Sequence, residues 1–535
     1  MPTLNWIGRK AVENHHKQVP FHLLKEVPEL SVGDPGSGNL LVEGDNLLAL
    51  KALLPYYSGQ VKCVCIDPPY NTGNEGWKYN DNVNSPEMSE WLGKVVGKEA
   101  EDLTRHDKWL CMMYPRLALL RQFLRPDGAI FVCIDDVEVA HLRLLMDELF
   151  GSHNFIVNFV WQSKDTPGNN SSGVAETHNH IIAYRRSDAF QPNLLARNEK
   201  QVGTYTNPDN DPRGPWLAAP LTRVEHRDRD YYALKNPAGR EIHPPKGSSW
   251  RRPPDKMKQL ASDNRVWWGK SGDSEFPMEK KFLSEAKEGV VNQTWWPYDF
   301  AGSTRNASAE MKELFGGEKP FDTPKPTRLF KVIISLASDS NDLVLDSFAG
   351  SGTTGNAVLS LNKQDGGNRR FILVEMEPKI AREITVERVR RVIEGYKNLK
   401  DEDVAGLGGG FRFATLGEPL FDERGNIRSS VRFADLALHV YFTETGEPLP
   451  KQAKANSPLI GICNGVAVYL LYNGILKDKT PDGGNVLTAS ILAHLNKHNG
   501  PKVIYGTACR IGPERLRREN IVFKQLPYKL RVDAL

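Results

Sequence analysis

The chain has 535 residues, of which 40% are hydrophobic and 25% charged, and its formal net charge is +3. This length exceeds what one hydrophobic core usually organises, so two or three domains are expected. No apolar run approaches the roughly 20 residues that cross a bilayer, and the first ten residues lack the pattern of a secretory signal. The composition predicts a cytoplasmic globular protein without a membrane segment, in which any site for a polyanion is a local patch.

The sequence has few cysteines and histidines at the spacings typical of metal sites. The six cysteines include no Cys-x-x-Cys pair, so we expect reduced and mostly buried thiols. His178 and His180 alternate on a predicted strand, without a cysteine or a third ligand nearby in the sequence. This pattern favours structural roles for both histidines, and no metal is expected.

Strand and helix signals alternate over two separate stretches of the chain. The first stretch predicts strands at 39–43, 61–66, 129–134, 155–161 and 180–184, and helices at 46–54, 109–124 and 137–150. The second, from about 327 to 396, predicts a helix, a strand ending at Asp346, a helix, a strand ending near Glu375 and a long amphipathic helix. Because neither stretch offers a complete sheet, we predict an α/β fold with one mostly parallel sheet built from both.

Composition divides the chain further. Residues 187–320 are poor in apolar periodicity and rich in Pro, Gly, Trp, Arg and Lys, which predicts an insert between the two halves of the sheet. A glycine linker at Gly406–Gly410 precedes a last region with apolar runs of its own. The predicted parts are an N-terminal arm (1–37), a first half (38–186), an insert (187–320), a second half (321–400) and a C-terminal α+β domain (401–535).

The segment "LDSFAGSGTTG" predicts a binding loop. A strand ends at Asp346, and Gly350 and Gly352 precede a helix whose N-terminus favours negative charge. Glu375 ends the following strand, where a carboxylate can accept both hydroxyls of a ribose. A nucleoside cofactor fits this pattern, whereas ATP is disfavoured by the missing lysine and a dinucleotide by the missing third glycine. A tight turn without a ligand remains the structural alternative.

The segment "CIDPPYNTG" ends a buried strand in an unusual way. The strand meets Asp67, Pro68, Pro69 and Tyr70 without any helix start, and a proline-stiffened turn is the structural alternative. Together, "DPPY" and "FAGSG" resemble the motifs of amino-methyltransferases, which use S-adenosylmethionine to methylate an exocyclic amine of a DNA base. The catalytic motif precedes the cofactor motif, as in the beta class of that family. The resemblance implies a permuted, Rossmann-like, doubly wound sheet.

The resemblance extends from about residue 38 to 396. It implies that Asp45 in "LVEGDNLLALKALL" faces the cofactor's adenine and that Lys325 belongs to the final cofactor motif. The implied cofactor set is Asp45, Asp67, Lys325, Phe348, Ala349, Gly350, Ser351, Gly352, Thr353 and Glu375. "GSSWRRPPDKMKQL" and "FPMEKKFLSEAKEG" further resemble modification subunits of type III restriction systems. A bacterial or phage origin, a homodimer and a partner nuclease are implied, and residues 321–400 would be the cofactor-binding half.

The "DPPY" residues suit transfer to an amine. The Asp67 carboxylate and the Pro68 carbonyl can accept both amine hydrogens, which aims the nitrogen lone pair at the sulfonium methyl group. The base must be flipped out of the duplex, and Tyr70 offers a face on which it stacks. By family analogy, aspartate at the first position favours adenine N6 over cytosine N4. Methylation of RNA, or a recognition subunit that depends on a nuclease partner, remains an alternative.

DNA binding is expected from the insert, where basic residues outnumber acidic ones and aromatic residues are interleaved. The predicted contacts there are Arg223, Arg227, Trp250, Arg251, Arg252 and Lys256. Trp161 and Lys164, in "WQSKD" after a sheet strand, are expected to meet the flipped nucleotide. A solvated, loop-rich surface is the alternative for each of these residues.

Overall fold

The computed structural model describes residues 4–72, 86–96, 103–167, 173–449, 457–472 and 485–526. The chain forms two compact units, one of Met1–Asn193 with Gln293–Leu535 and one of Leu194–Asn292. The predicted insert of 187–320 is therefore too long at both ends. Its last part belongs to the larger unit because Trp295–Trp296 pairs in parallel with Val160 and Trp161 of the main sheet.

The larger unit is built on a mostly parallel sheet of eleven strands. Ten of them follow in chain order: β1 (His22–Glu26), β2 (Leu40–Glu43), β3 (Val61–Ile66), β4 (Leu124–Ile134), β5 (Phe155–Gln162), β6 (His178–Arg185), β7 (Trp295–Trp296), β8 (Leu343–Asp346), β9 (Arg370–Glu375) and β10 (Gly410–Pro419). Their spatial order is β1-β10-β2-β9-β8-β3-β4-β6-β5-β7, and Val32–Gly33 pairs with β10. The six strands from β10 to β4 are parallel. The predicted α/β sheet assembled from two halves of the chain is confirmed.

Helices cover the sheet, and their main members are α1 (Asn46–Tyr57), α2 (Arg105–Phe123), α3 (Val139–Phe150), α4 (Thr304–Leu314), α5 (Thr327–Ala337), α6 (Thr353–Asp365) and α7 (Val386–Glu394). Further helices occupy Arg9–Val12, His15–Gln18, Pro86–Val96 and Tyr298–Ala301. Across the described ranges, no helix is long and apolar enough to cross a membrane. All six cysteines lie in these ranges as free thiols, and four are buried, as expected.

The bounds of α2 and β4 differ from the predicted 109–124 and 129–134, between which the proline and glycine of "RPDG" (125–128) predict a break. Helix α2 begins at Arg105, because Thr104 and Asp107 form a reciprocal capping box. Strand β4 begins directly after α2 and runs through the proline and glycine that were expected to separate the two elements. A register shift in its pairing with β3 accommodates this segment, and Arg125 is anchored to Asp342 at 2.8 Å.

The predicted long helix after β9 is interrupted by a π-helical turn. Pro378–Ile380 is helical, Ala381–Thr385 is the π-turn, and α7 follows. The turn orients Thr385, whose Oγ1 donates to the Gly350 carbonyl at 2.6 Å. Such insertions frequently occur at functional sites, and this one touches the predicted binding loop.

The boundaries at 37 and 401 are also wrong, because the N-terminal arm contributes β1 and the last region contributes β10 to the main sheet. Strand β10 runs parallel to β2, with Ala414 opposite Val42, and β1 pairs antiparallel with β10. The described residues after β10 include a separate four-stranded sheet and helix α8 (Phe433–Thr445). Its strands are Leu459–Cys463, Val466–Leu470, Lys502–Gly506 and Ile521–Gln525, and short helices lie at Ala489–His494 and Pro513–Arg518.

The smaller unit consists of short strands and two helices. Its longest sheet joins Val266–Trp267, Met278–Phe282 and Trp216–Pro220 in antiparallel order. The other elements are Thr222–Arg223, Leu234–Lys235, Glu241–Ile242, Ser249–Trp250 and the helices Glu199–Gly203 and Pro254–Ser262. A small apolar core contains Leu221, Ile242, Trp250, Met257 and Val266. Strands this short leave little periodicity to detect in the sequence.

Candidate active site

Two loops meet at the carboxyl edge of the main sheet. The chain leaves β3 toward β4 on one side and leaves β8 toward β9 on the other, so the strand order reverses between β3 and β8. Ligands in open α/β sheets bind in the crevice at such a switch point. We name the two segments there the DPPY loop (Asp67–Asn71) and the glycine loop (Ser347–Gly352). Both contribute to a cavity of about 20 Å³ that is lined by Asp67 and Gly350.

Both carboxylate oxygens of Asp67 have partners within the chain. Tyr70 Oη donates to Oδ1 at 2.8 Å, and Lys325 Nζ donates to Oδ2 at 2.5 Å. The Lys325 ammonium also lies 4.7 Å from the centre of the Tyr70 ring. Lys325, predicted from its motif as a cofactor residue, therefore contacts the predicted catalytic carboxylate, a pairing that bridges 258 positions of sequence.

The backbone of the DPPY loop is fixed from one side by helix α2. The Pro69 carbonyl accepts a hydrogen bond of 2.7 Å from Trp109 Nε1. The loop ends at Asn71, which has a left-handed backbone with φ of 61° and is buried. Pro68, whose carbonyl is the predicted second acceptor for an amine, is buried as well.

Tyr70 faces a much larger cavity of about 760 Å³. Its other walls include Trp161, Lys164, Asn179 and Arg305. Burial raises the pKa of the Tyr70 phenol well above its usual value, so the hydroxyl stays protonated and donates to Asp67. The volume lies within the 300–1,000 Å³ typical of ligand pockets, and it is sufficient for a nucleobase.

The glycine loop is held mainly through its backbone. Gly350 N–H donates to Glu375 Oε2 at 2.8 Å, and the Gly350 carbonyl accepts from Thr385. Gly350 and Gly352 have φ of 51° and 78°. A Cβ on Gly352 would lie 3.2 Å from Thr385 Cγ2, so glycine is required there both by conformation and by packing.

Several features of this loop suit a nucleoside cofactor. Ser347 Oγ is buried and has no hydrogen-bond partner among the described residues, which leaves a polar atom for a ligand. Each Glu375 oxygen accepts a backbone N–H, one from Gly350 and the other from Glu377. Burial raises the pKa of Asp346 to about 7, although Thr354 donates to this carboxyl. The buried polar atoms around this loop therefore suit the hydroxyl and amine groups of a nucleoside cofactor.

Three predicted cofactor residues use their side chains within the protein. Asp45 caps helix α1 by accepting from Leu47 N–H and Leu48 N–H. Ser351 Oγ and Thr353 Oγ1 each receive a hydrogen bond of 2.9 Å from Arg388 Nη1. The buried Arg388 was not predicted, because its arginine-rich helix reads as a solvated amphipathic surface.

The two tryptophans predicted to bind DNA are buried. Trp250 is 0% exposed and donates through Nε1 to the Tyr232 carbonyl at 2.8 Å, so its prediction as a surface contact is wrong. It anchors the core of the smaller unit. Trp161 is also 0% exposed and donates to the Gly302 carbonyl, so its indole is accessible only as part of the cavity wall.

The predicted basic contacts lie on or near the surface, and most already have partners. Arg227 pairs with Glu225 and Arg252 with Glu279, both at 2.9 Å. Arg223 donates to the Arg251 carbonyl, Arg251 to Thr222 and Lys256 to Gln259. Lys164 is exposed at the rim of the large cavity. DNA contact by these residues stays a prediction.

No third ligand lies near His178 and His180 in the sequence, but the fold brings Asp136 beside them. The Asp136 carboxylate lies 2.8 Å from His180 Nε2 and 3.7 Å from His178 Nε2. A second cluster of the same type joins His106, Glu138 and His141. Neither carboxylate is close in sequence to all of its partners, so spacing alone did not reveal the clusters.

Fold and site together define an α/β protein in which a glycine loop and the Asp67 carboxylate line one cavity at the switch point of the sheet. The DNA methylase family model matches residues 61–387, which is more than half of the chain. The chain belongs to the DNA methylase family, and the expectation based on its two motifs is confirmed.

Three relatives illustrate the match. The Mod subunit of the type III restriction-modification enzyme StyLTI of Salmonella typhimurium is 34% identical over 72% of this chain and 62% of its own length. The EcoP15I Mod subunit of Escherichia coli is 30% identical, with 75% and 67% covered. The type II methyltransferase M.KpnI of Klebsiella pneumoniae is 30% identical, with 70% and 93% covered. The chain thus spans less than two thirds of the StyLTI subunit.

Proposed function

We propose that this protein is a site-specific DNA methyltransferase that uses S-adenosylmethionine to methylate the N6 amine of an adenine flipped out of duplex DNA. One observation carries the proposal: Asp67 lines the same cavity as Phe348, Ala349 and Gly350 at the switch point of the sheet. A carboxylate that can hold an amine and a loop that can hold a nucleoside cofactor thus meet in one place. Membership of the DNA methylase family supports the same reaction.

Bound S-adenosylmethionine supplies an electrophilic methyl group on a sulfonium. The Asp67 carboxylate and the Pro68 carbonyl accept the two hydrogens of the amine, so its lone pair points at the methyl carbon. The bound cofactor would give its methyl group to that nitrogen, so that a nitrogen–carbon bond replaces the carbon–sulfur bond and S-adenosylhomocysteine is the product. The surplus proton of the amine passes to Asp67 or to solvent.

Asp67 must exchange partners for this reaction, because Tyr70 and Lys325 already donate to its two oxygens. We assign the exchange to Lys325, since an ammonium beside Asp67 opposes the positive charge that develops on the amine. The Tyr70 ring forms a wall of the 760 Å³ cavity and offers the stacking surface for the base. Asn179 and Lys164 are among the polar residues that line the same cavity.

The glycine loop and Glu375 would hold the cofactor, with Glu375 accepting the ribose hydroxyls and Ser347 Oγ offering a further polar contact. A cavity of about 20 Å³ has room for about one water molecule. Cofactor binding therefore requires the side chains around it to shift, and the largest of them are Phe321, Phe330 and Phe348. We expect no metal in the reaction.

We assign recognition of the DNA sequence to the smaller unit. Arg229 and Arg240 have side chains 74% and 64% exposed, and Arg227 and Arg251 are also exposed. Such groups can follow phosphates or read guanine edges. Their acidic neighbours would then be replaced by nucleic acid, which adds a salt dependence to binding.

A second candidate function is that of a modification subunit in a type III restriction complex. The match of 72–75% of the chain to two subunits so named favours it. It adds a partner nuclease and a homodimer to the first proposal and does not replace it. The location proposed is the cytoplasm of a bacterium or of a phage-infected cell, where both DNA and S-adenosylmethionine are present.

The test is transfer of a labelled methyl group from S-adenosylmethionine to plasmid DNA, followed by digestion and mass spectrometry of the nucleosides. The wild type should give N6-methyl-2′-deoxyadenosine, Asp67→Ala should give none, and Asp188→Ala should behave as the wild type because Asp188 is an exposed residue paired with Arg185. Label in N4-methylcytosine would overturn the adenine assignment. Label in RNA and none in DNA would overturn the DNA substrate.

A further inference from the structure

The far end of the DPPY loop is held by a buried polar cluster that the reaction scheme does not use. Asn71 Nδ2 donates to Glu138 Oε1 at 2.5 Å and to the Arg105 carbonyl at 3.2 Å. Asn71 is 1% exposed, and its left-handed backbone is a conformation that asparagine tolerates better than most residues. The side chain thus fixes the point at which the loop turns away from the sheet.

Glu138 is the centre of this cluster. It directly precedes helix α3 and is 0% exposed. His106 Nδ1 lies 2.6 Å from Oε1, and His141 Nδ1 lies 2.9 Å from Oε2. A buried carboxylate costs several kcal/mol unless it is paired, so a cluster of three partners around one carboxylate indicates a role beyond filling space.

We infer that Glu138 is a positioning residue of the methyl-transfer site and acts through Asn71. The inference rests on the proposed function. Trp109 holds the loop at the Pro69 carbonyl, and Glu138 holds it two residues further on. The segment between Asp67 and Asn71 is thereby fixed at both its middle and its end, which keeps the Asp67 carboxylate and the Pro68 carbonyl at the spacing that an amine requires.

A bound divalent cation is the competing explanation of the cluster, because two imidazoles and a carboxylate are ligands that zinc accepts. Hydrogen bonds account for the Oε1 side of the cluster only, because Glu138 Oε2 and His141 Nδ1 are buried and form no hydrogen bond with a described residue. Glu138 Oε1 is already approached by an amide nitrogen and an imidazole nitrogen at 2.5 and 2.6 Å, and the amide nitrogen of Asn71 is a donor, which cannot ligate a metal.

The test compares Glu138→Ala and Glu138→Gln with Glu148→Ala, a matched change on the same helix at a residue that pairs with Arg9. We expect single-turnover methyl transfer to fall roughly 100-fold in Glu138→Ala, as displacement of a reacting group by about 1 Å does. Glu138→Gln keeps an acceptor for Asn71 and should lose about tenfold. The dissociation constant of labelled S-adenosylmethionine should change less than about threefold in all three.

Asn71→Ala removes the same hydrogen bond from the side of the DPPY loop, and it is the variant to measure if Glu138→Ala does not fold. The double variant should be no slower than the slower single variant, because both changes remove one interaction. If Glu138→Ala and Glu148→Ala transfer methyl groups at equal rates, the inference about Glu138 is wrong while the proposed function stands. The same holds if the rate losses of Glu138→Ala and Asn71→Ala add in the double variant. If the wild type contains one zinc per chain and Glu138→Ala contains none, the cluster is a metal site and the inference about Glu138 is wrong. A wild type without transfer to any DNA would overturn the proposed function itself.

Discussion

The two loops of the site are anchored in different ways. The glycine loop is fixed by backbone groups, because Gly350 N–H donates to Glu375 and the Gly350 carbonyl accepts from Thr385. The DPPY loop is anchored at the Pro69 carbonyl and the Asn71 side chain, and among the described residues its carboxylate is held by Tyr70 and Lys325. One loop is therefore built to stay in place under a cofactor. The other is built to exchange partners at Asp67 when an amine arrives.

The carboxyl groups at the ends of β8 and β3, Asp346 and Asp67, differ in burial and in their partners. Asp346, at the end of β8, is 2% exposed, and burial raises its pKa to about 7. Asp67, at the end of β3, is partly exposed and paired with an ammonium. A buried carboxyl that holds its proton suits a fixed support. A carboxylate beside a movable cation suits chemistry.

The largest expected effect is that of Asp67→Asn, which should slow methyl transfer much more than it weakens cofactor binding. Asp67→Asn keeps the size of the side chain but removes its charge, so we expect single-turnover methyl transfer to slow by at least about 1,000-fold. Cofactor affinity, measured by calorimetry, should change less than about tenfold, because the glycine loop keeps its own hydrogen bonds. A parallel loss of cofactor affinity would show that the loops do not act separately.

Asp346→Asn tests the fixed support through pH. The native state retains a proton on Asp346 up to about pH 7, whereas the unfolded chain releases it near pH 4, so ionisation destabilises the wild type as the pH rises between those values. Between pH 5 and pH 7 the wild type should lose about 2 kcal/mol relative to Asp346→Asn. Thermal melts of both proteins at the two pH values measure this difference. A constant difference in melting temperature would contradict the raised pKa.

Gly352→Ala strains the glycine loop directly. A left-handed alanine costs about 1–2 kcal/mol, and its Cβ would lie 3.2 Å from Thr385 Cγ2. We expect cofactor affinity to fall about tenfold or more, by the same amount of free energy. Gly366→Ala is the matched control, since it has φ of 70° at the other end of α6 with no atom within 4 Å of the added Cβ. If Gly352→Ala and Gly366→Ala bind the cofactor equally well, the contact between an added Cβ and Thr385 does not affect cofactor binding.

The smallest effect is expected at the π-turn. Thr385→Val keeps the shape of the side chain and removes the hydrogen bond to the Gly350 carbonyl, at a cost of about 1 kcal/mol. Thr385→Ser keeps the hydroxyl and should retain cofactor affinity within about twofold. If Val and Ser variants bind the cofactor equally, the loop is held without this bond.

The sequence was informative where function depends on local order along the chain. "DPPY" and "FAGSG" each follow a buried strand, and a strand end in a parallel sheet places its loop at a common edge, so the meeting of Asp67 with the glycine loop could be predicted. The membership of β1 and β10 in the sheet could not be predicted. Their pairings join residues almost 400 positions apart, such as His22 and Pro419.

Side-chain roles were predicted less well, because they depend on burial. Trp250 stands among arginines in the sequence, yet its indole lies in a core that the adjacent short strands create. Glu138 and Asn71 are 67 positions apart, and nothing in "DDVEVAH" indicates that this carboxylate turns toward the DPPY loop. The partner of Lys325 was likewise set by the sheet topology rather than by its motif.

The most direct test of the central claim is single-molecule sequencing of plasmid DNA from cells that express the wild type or Asp67→Ala, with methylated bases scored by sequence context. The proposed function predicts N6-methyladenine at one recurring motif with the wild type and none with the variant. Methylation at the same motif in both would contradict the role of Asp67, and its absence in both would contradict a self-sufficient methyltransferase.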